Sequence, residues 1–421
     1  LAADIRGGDQ PDALDRVAHE IENMRAAYRW TGAEIEHDPA RALARIARSM
    51  AGLFDFYDIR GWYAEGRAVF AGAAEAVGGA AAGAVAEDAG THTALLAALR
   101  ARQGWLTFLT GDVDEAATLL SAARTLAEAA DDPHTLAFTL NYLGALRRHA
   151  GDLADATDLL TRGLTLAETA GDRYTVSLIL NTLGQVASLQ GDAATATGFC
   201  QRALAIKRQL GDRRGMIYSL TYLGRVAEMD GRVDAARPLY AESLQIAEEL
   251  DDPRGIALSQ HNLANAALTQ GQLAGARRLF NRALELYRAM GSRADMSVAL
   301  SRLAEVALAQ RDYEEAIDCV GDALTLAQAA GVQPARNTAL LAAGALLAQT
   351  GDTATAGAVM ATVAAAPHLT ARQRLRLEQL QDRVAETPDA PAASPQATVD
   401  LVFAALEQLR RAPLAPARSL P

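Results

Sequence analysis

Few residues in this 421-residue sequence have the types and spacing that catalysis or metal binding requires. A zinc-protease motif needs two histidines four positions apart around a glutamate, but the residue four positions after His19 is Asn23. The seven histidines are scattered, the two cysteines form no CxxC pair, and neither a Gly-x-Ser-x-Gly turn nor an aspartate-rich calcium loop is present. We therefore expect a protein that is not an enzyme and that has no catalytic residues, no metal site and no cofactor.

The basic residues argue against nucleotide hydrolysis and against nucleic-acid binding. A phosphate-binding loop needs a lysine after a glycine turn, and the only lysine, Lys207, lies in a mid-helix pattern. The Gly/Ala-rich residues 78–83 lack the spacing of such a loop and follow a predicted helix instead of a strand. The net charge of −11 opposes binding to a phosphate backbone, which depends on many Lys and Arg side chains.

The composition predicts a soluble, cytoplasmic protein. No apolar run approaches the roughly 18 residues that a membrane helix needs. The sequence starts at Leu1 without an initiator methionine, and its first residues have neither the basic flank nor the apolar core of an export signal. We therefore expect no export signal and a piece of a longer protein. Cys200 and Cys319 each fall in an amphipathic helical pattern that predicts small, buried apolar residues, which fits a reducing compartment.

Breaks recur in the sequence every 40 residues, and a second set lies half-way between them. Glycine can adopt the left-handed conformation that ends a helix, and the aspartate that often follows can cap the next helix. Two breaks in each unit predict two helices, and the apolar spacing between the breaks is helical. The first set is Gly111, Gly151, Gly191, Gly231, Gly271, Arg311 and Gly351, and the second is Asp131, Gly171, Gly211, Asp251, Gly291 and Gly331.

Small side chains recur at fixed offsets in each unit. A leucine is followed by Gly144, Gly184, Gly224, Ala264 and Ala304, and twelve residues later come Ala156, Ala196, Ala236, Ala276 and Ala316. A bulky residue four positions on and a small one three further complete a pattern that resembles the tetratricopeptide repeat. The period of 40 exceeds the usual period of about 34 and resembles the elongated subclass. The resemblance implies an all-α, right-handed superhelical solenoid of about seven to eight helix pairs.

Two segments upstream of the repeats are distinctive, residues 21–30 (IENMRAAYRW) and 60–67 (RGWYAEGR). They resemble the opening of the C-terminal sensor in bacterial STAND regulators, which are multidomain signal-transducing NTPases, although Met24 replaces that family's leucine. Residues 205–215 (AIKRQLGDRRG) also resemble the repeats of this family. The resemblance implies that an NTPase domain and an effector domain lie upstream in the full-length protein.

These patterns divide the chain into four segments. Residues 1–90 are predicted to be a helical lead-in with one atypical helix pair and a flexible Gly/Ala-rich insertion at 78–90. Residues 91–366 form the tetratricopeptide array, and residues 367–387 form a helix that caps its last repeat, as solenoid ends require. Residues 388–421 are predicted to be a Pro/Ala-rich linker, a short helix at 399–409 and a mobile tail.

The register of the repeat predicts which side chains line a binding groove. In the tetratricopeptide family the first helix of each pair lines the concave surface, two residues before and two after the conserved leucine. These positions lie four apart on one helical face, and here they carry mainly amides, hydroxyls and histidine, which can bind a peptide, a sugar or another polar ligand. Three residues before the first position of each pair lies an apolar edge, from which Phe138 and Tyr218 are taken. The predicted groove residues are Phe138, Asn141, Asn181, Gln185, Tyr218, Thr221, Arg225, His261, Asn265, Ser301 and Glu305.

The sequence therefore predicts a sensor that binds a protein, a peptide or a small polar effector and relays this to the upstream NTPase domain. One alternative is a scaffold that holds partner proteins together without switching an activity. Another is a peptide-pheromone receptor, which would carry a DNA-binding helix-turn-helix upstream. A phosphate-binding Gly-Lys-Ser/Thr loop upstream of residue 1 would favour the sensor over both alternatives.

Replacement of Ala196 with leucine should destabilise the fold by about 1–3 kcal/mol, because added methyl and methylene groups overpack the helix crossing. Thermal unfolding of the variant and of the unmodified chain measures this difference. An unchanged melting temperature would contradict the close helix crossing on which the repeat assignment depends.

Overall fold

The computed structural model describes residues 2–5, 10–35, 37–81, 89–366, 369–384 and 394–411. Within these ranges all regular structure is helical and no strand occurs. The helices are α1 (Ala2–Ile5), α2 (Gln10–Glu34), α3 (Pro39–Arg60), α4 (Tyr63–Ala81), α5 (Ala89–Leu109), α6 (Val113–Ala129), α7 (Pro133–Ala150), α8 (Leu153–Thr169), α9 (Arg173–Gln190), α10 (Ala193–Leu210), α11 (Arg213–Met229), α12 (Val233–Glu249), α13 (Pro253–Thr269), α14 (Leu273–Ala289), α15 (Arg293–Ala309), α16 (Tyr313–Ala330), α17 (Gln333–Thr350), α18 (Thr353–Ala364), α19 (Ala371–Val384) and α20 (Pro395–Arg411).

Every predicted break between α5 and α18 has a residue with positive φ. Most are glycines, for which this conformation carries no steric penalty. The exceptions are Asp131, Asp251 and Arg311, whose φ angles are 49°, 50° and 61°. Aspartates after the breaks act as predicted: Asp152, for example, accepts a hydrogen bond from the backbone N–H of Asp155 at 3.3 Å. The break positions read from the sequence therefore set the helix boundaries.

The described helices belong to two compact units, residues 1–226 with 241–256, and residues 227–240 with 257–421. In the first unit α5/α6, α7/α8 and α9/α10 pack as pairs, and α6 packs on α7 and α8 on α9. In the second unit α15/α16 and α17/α18 are pairs, and α16 packs on α17. Helices α5 to α18 stand as seven consecutive pairs in chain order. The predicted all-α solenoid of stacked helix pairs is confirmed.

Small residues lie where the helices of a pair cross. A Cβ atom on Gly144 would stand 2.6 Å from Cγ of Leu160, and one on Gly184 would stand 2.5 Å from Sγ of Cys200. Both distances are shorter than van der Waals contact, so only glycine fits at these crossings. The alanines twelve residues after each small residue, from Ala156 to Ala316, are all fully buried. Cys200 is buried in the same crossing, which confirms its reading as a small core residue, while Cys319 is only partly buried.

The lead-in helices α2, α3 and α4 pack on one another, and α3 also packs on α5. Helix α3 supplies large buried side chains, among them Phe54, Phe56 and Tyr57, to the core of the first unit. Helix α4 ends at Ala81 and α5 begins at Ala89. Most of the predicted Gly/Ala-rich insertion therefore lies outside the described residues.

The C-terminal helices pack on the last repeats of the second unit. Helix α19 lies where a capping helix was predicted and contacts α17 and α18, and the Gln373 side-chain amide donates to the Pro334 carbonyl at 2.8 Å. Helix α20 is longer than the predicted helix at 399–409 and packs on α16 and α18, with Val399, Val402 and Leu406 buried. The predicted linker and tail fall largely at residues 385–393 and 412–421, outside the described residues.

Replacement of Gly144 with alanine should lower the free energy of unfolding by about 1–3 kcal/mol, because the new methyl group overlaps Leu160. Gly198, exposed within α10, is the matched control, since a Cβ there would meet no atom within 4 Å. Its change to alanine should stabilise the chain by about 0.5–1 kcal/mol through the lower conformational entropy of the unfolded state. Denaturant unfolding of both variants measures the difference, and equal effects would contradict the close crossing at Gly144.

Candidate ligand-binding cavity

The first unit contains a cavity of about 220 Å³. Most of its walls come from α3 and from the first helices of successive pairs, α5, α7, α9 and α11. Further lining residues are Ile5 of α1, Gln10 of α2, Lys207 of α10, Asp212 before α11 and Arg254 at the start of α13. Aromatic rings, amides and charged groups share the lining. The aromatic residues are Phe54, Trp105, Phe108, Tyr142, Tyr174, Tyr218 and Tyr222, and the amides are Gln10, Asn141, Asn181 and Gln185.

Four of the predicted groove residues, Asn141, Asn181, Gln185 and Tyr218, line this cavity. The Oδ1 atom of Asn141 accepts a hydrogen bond from Thr182 at 2.9 Å, and that of Asn181 accepts one from Ser219 at 3.0 Å. We call these two asparagines, on α7 and α9, the amide ladder. Their oxygens are fixed by hydroxyls on the first helix of the following pair, α9 for Asn141 and α11 for Asn181, so the orientation of each amide is set. In the described part of the chain their Nδ2 groups have no partner, which leaves donors for a ligand.

The other predicted groove residues of the first unit have different environments. Phe138 is a core residue, since its ring contacts those of Phe54 and Tyr142 edge to face at centroid distances of 5.8 and 4.7 Å. Thr221 stands at the position equivalent to the amide ladder, but it is fully buried and its hydroxyl lies 3.1 Å from that of Ser243. Arg225 is exposed and does not line the cavity.

The predicted groove residues of the second unit mostly make internal contacts. The ring of His261 meets that of Phe280 edge to face at 5.3 Å, and Asn265 is buried. Ser301 is fully buried and donates to the backbone carbonyl of Ser297 within its own helix. Glu305 pairs with Arg302 of its own helix at 2.9 Å and with Arg376 of α19 at 3.6 Å. Burial acts to raise the pKa of Glu305, but these arginines outweigh it and the pKa is lowered. Glu305 therefore helps to hold α19 against α15.

Arg214 is the charged residue that connects the lead-in to the repeats inside the first unit. Its guanidinium donates to the Asp58 side chain at 2.5 Å and to the Asp58 carbonyl at 3.0 Å. It also donates to the Asp252 carboxylate at 3.3 Å and to the Tyr218 hydroxyl at 3.2 Å. Burial acts to lower the pKa of Arg214, but Asp58, Tyr218 and Asp252 outweigh it and raise the pKa well above its ordinary value. One side chain thereby ties α3 to α11 and to the residue before α13.

Lys207 is buried beside the same cavity and closes the turn between α10 and α11. Its Nζ donates to the Gly215 carbonyl at 3.1 Å, while the Asp212 carboxylate accepts from the Gly215 N–H at 2.8 Å. A Cβ on Gly215 would stand 2.0 Å from Oδ2 of Asp212, so glycine is required there. Burial lowers the pKa of Lys207 to about 8, and it raises that of Asp212. The distinctive sequence of residues 205–215 therefore fixes the turn between α10 and α11.

Arg148 lines the cavity but is absent from the predicted groove set. The spacing rule selects positions 141 and 145 around Leu143, whereas Arg148 lies one turn further along the same helix face. Continuing the i, i+4 spacing to i+7 would have found it. Ala145, where the equivalent residues are Gln185 and Arg225, also lines the cavity and leaves room beside Arg148.

Neither a cluster of possible metal ligands nor a membrane-length apolar helix occurs in the residues that the structure describes. These residues contain no group of three or more His, Cys, Asp or Glu side chains arranged to hold a metal ion. None of the described helices is both long enough and apolar enough to cross a membrane.

A family model for the tetratricopeptide repeat matches residues 175–249 and 216–289. Residues 175–289 carry tetratricopeptide repeats. Their match covers the middle of the array, where the helix pairs have the spacing, caps and small crossing residues described above. Repeat arrays of this kind present extended binding surfaces. Among curated proteins, none matches the sequence.

Solved structures with the same fold share little sequence with this chain. A Rap protein complexed with Competence and Sporulation Factor is 11% identical, with a TM-score of 0.59, over 88% of this chain and 98% of that one. A Rap conjugation gene regulator of plasmid pLS20 in complex with the Phr* peptide is 14% identical, with a TM-score of 0.56, over 71% and 79%. A STAND protein with a tetratricopeptide sensor from Pyrococcus horikoshii is 13% identical, with a TM-score of 0.50, and the chain spans 88% of its own length but only 54% of that protein. At these identities the likeness concerns the tetratricopeptide fold alone.

The single lysine allows its protonation to be measured directly. We expect the Nζ signal of Lys207 to titrate near pH 8 in the folded chain, against about 10.5 for an ordinary lysine, because burial favours the neutral amine. The unfolded chain then binds more protons between these values, so the free energy of unfolding should rise with pH through this window. NMR of the chain with labelled lysine gives the midpoint, and a midpoint near 10.5 would rule out the buried position.

Proposed function

We propose that this chain is a sensor domain that binds a peptide or a small polar effector in the cavity of its first unit. The observation that carries this proposal is the amide ladder, in which hydroxyls on the first helix of the following pair hold Asn141 and Asn181 with free Nδ2 donors beside a cavity. Fixed amide donors suit the carbonyl and carboxylate groups of a peptide-like ligand, because no rearrangement of the protein is needed to form the bonds.

Within the proposal, the chain is the C-terminal sensing part of a STAND-type regulator, and an upstream NTPase domain receives the signal. The resemblance of residues 21–30 and 60–67 to STAND sensors supports this, as does the fold that the chain shares with the Pyrococcus horikoshii protein. Relay requires that the ligand bind one arrangement of the helices better than another. The lead-in is suited to that role, since its contacts through Arg214 border the cavity.

A peptide receptor without an NTPase domain is the second candidate. The chain covers 98% of the Rap protein solved with Competence and Sporulation Factor and 79% of the Rap regulator solved with the Phr* peptide, but only 54% of the STAND protein. The sequence upstream of residue 1 in the full-length protein separates the two. A phosphate-binding loop there supports the STAND regulator, and its absence supports the receptor.

The binding site is tested with the double variant Asn141→Ala/Asn181→Ala. Immobilised chain is exposed to peptides and metabolites extracted from the native host, and the bound molecules are quantified by mass spectrometry. Loss of two hydrogen bonds should weaken retention of the bound ligand by about tenfold or more. Asn281→Ala, on an exposed side of α14, is the matched control and should retain the ligand normally. Equal retention by the double variant, with its thermal melt intact, would exclude the amide ladder as the site.

A further inference from the structure

Two buried polar atoms on residues that line the cavity have no hydrogen-bond partner. One is Oδ1 of Asp58, an acceptor, and the other is Nε of Arg148, a donor. No other lining residue has a side-chain atom of this kind among the described parts of the chain. Buried polar atoms are usually satisfied, because leaving one unpaired costs free energy. Asp58 and Arg148 thus each border the cavity with a side chain that has an unsatisfied polar atom, and the two side chains carry opposite charges.

The charges around these atoms are only partly compensated. The Arg214 guanidinium forms ion pairs with both Asp58 and Asp252, so one positive charge faces two carboxylates. Arg148 has no carboxylate within ion-pair distance in the described residues, whereas Lys207 lies beside Asp212. Burial lowers the pKa of the Arg148 guanidinium, while Tyr222 acts to raise it and the positive charge of Arg225 acts to lower it. A cationic group beside Asp58 and an anionic group beside Arg148 would relieve both imbalances.

The size and walls of the cavity limit what can carry those two groups. Its volume of about 220 Å³ is below the roughly 300–1,000 Å³ of pockets for drug-sized ligands. Trp105 and Tyr142 stack at 4.4 Å between ring centroids and form an aromatic wall. Ala145 leaves space beside Arg148, where the equivalent positions carry Gln185 and Arg225.

We propose that the cavity binds a zwitterion of the amino-acid class, a free α-amino acid with an aromatic or large aliphatic side chain. Its ammonium group lies against Asp58, its carboxylate lies against Arg148 with the Nδ2 groups of the amide ladder in reach as further donors, and its side chain packs on Trp105 and Tyr142. This inference rests on the proposed sensor function and names the ligand class of the same site.

The probes are L-phenylalanine and L-leucine, each compared with its amide, which lacks the carboxylate, and with its N-acetyl derivative, which lacks the ammonium group. Isothermal titration calorimetry of the full chain should show that at least one free amino acid binds about tenfold or more tightly than either of its derivatives, since each derivative loses one charge-assisted contact. If neither amino acid binds, or if the derivatives bind as tightly as the parent, the zwitterion assignment is wrong.

Single variants test which residue binds the carboxylate of the ligand and which binds its ammonium group. Arg148→Gln should bind the amino acid and its amide equally well but still prefer the amino acid to its N-acetyl form. Asp58→Asn should bind the amino acid and its N-acetyl form equally well but still prefer the amino acid to its amide. Arg147→Gln is the matched control for the first, because Arg147 is exposed, pairs with Asp155 and does not line the cavity. If Asp58→Asn does not fold because its bond to Arg214 is weakened, the N-acetyl comparison on the unmodified chain still decides the ammonium contact. An unchanged preference in Arg148→Gln would overturn the assignment of the carboxylate.

The two proposals can fail separately. If a longer peptide binds through Asn141 and Asn181 with no dependence on Arg148 or Asp58, the sensor function stands and the zwitterion is rejected. If no ligand depends on the amide ladder but the amino acid still binds through Arg148 and Asp58, the chemistry of the cavity stands and the proposed ladder contacts are rejected.

Discussion

The structure depends on the close approach of two helices in each repeat, which is possible only where side chains at the crossing are small. At Gly144 and Gly184 even one added methyl group would overlap the facing helix. The alanines opposite, Ala156 and Ala196, have no exposed surface. Because each pair has this contact at the same two places, the first helices of successive pairs recur at a fixed interval. The side chains that border the cavity on α7, α9 and α11 therefore come from equivalent positions.

Besides the close helix crossings, buried charged side chains fix the positions of several segments in the first unit. Arg214 ties α3 to the repeats through Asp58 and Asp252, and Lys207 with Asp212 closes the turn before α11. A buried ion needs partners to offset its desolvation, so these groups fix the positions of the segments that meet them. All of these groups except Asp252 line the cavity. The charged part of the proposed binding site therefore includes contacts that hold the lead-in helices against the repeats. A ligand that alters these charges would act directly on those contacts.

The features that recur every 40 residues could be predicted from the sequence, whereas the contacts of individual groove residues could not. Break positions, helix pairing and buried small residues all followed from the 40-residue repeat, because every unit faces the same packing problem. Among the predicted groove residues, Asn141, Asn181, Gln185 and Tyr218 line the cavity. Thr221 holds the equivalent position in the next repeat but is buried against Ser243. Because the threonine side chain is shorter than that of asparagine, its hydroxyl bonds within its own helix pair. Repeat position therefore defines a helix face, while side-chain length and neighbours decide what each residue contacts.

The sequence by itself determined the helices, their boundaries and their pairing, because caps, breaks and small residues act on neighbours within a few tens of positions. Only the tertiary structure revealed the cavity and its charges. Asp58 and Arg214 are 156 positions apart, and Gln10 accepts from the Arg214 N–H across 204. No local pattern specifies which distant segments meet, because that outcome depends on the accumulated geometry of all the helix pairs between them. The unpaired atoms of Asp58 and Arg148 become visible only once those segments are in place.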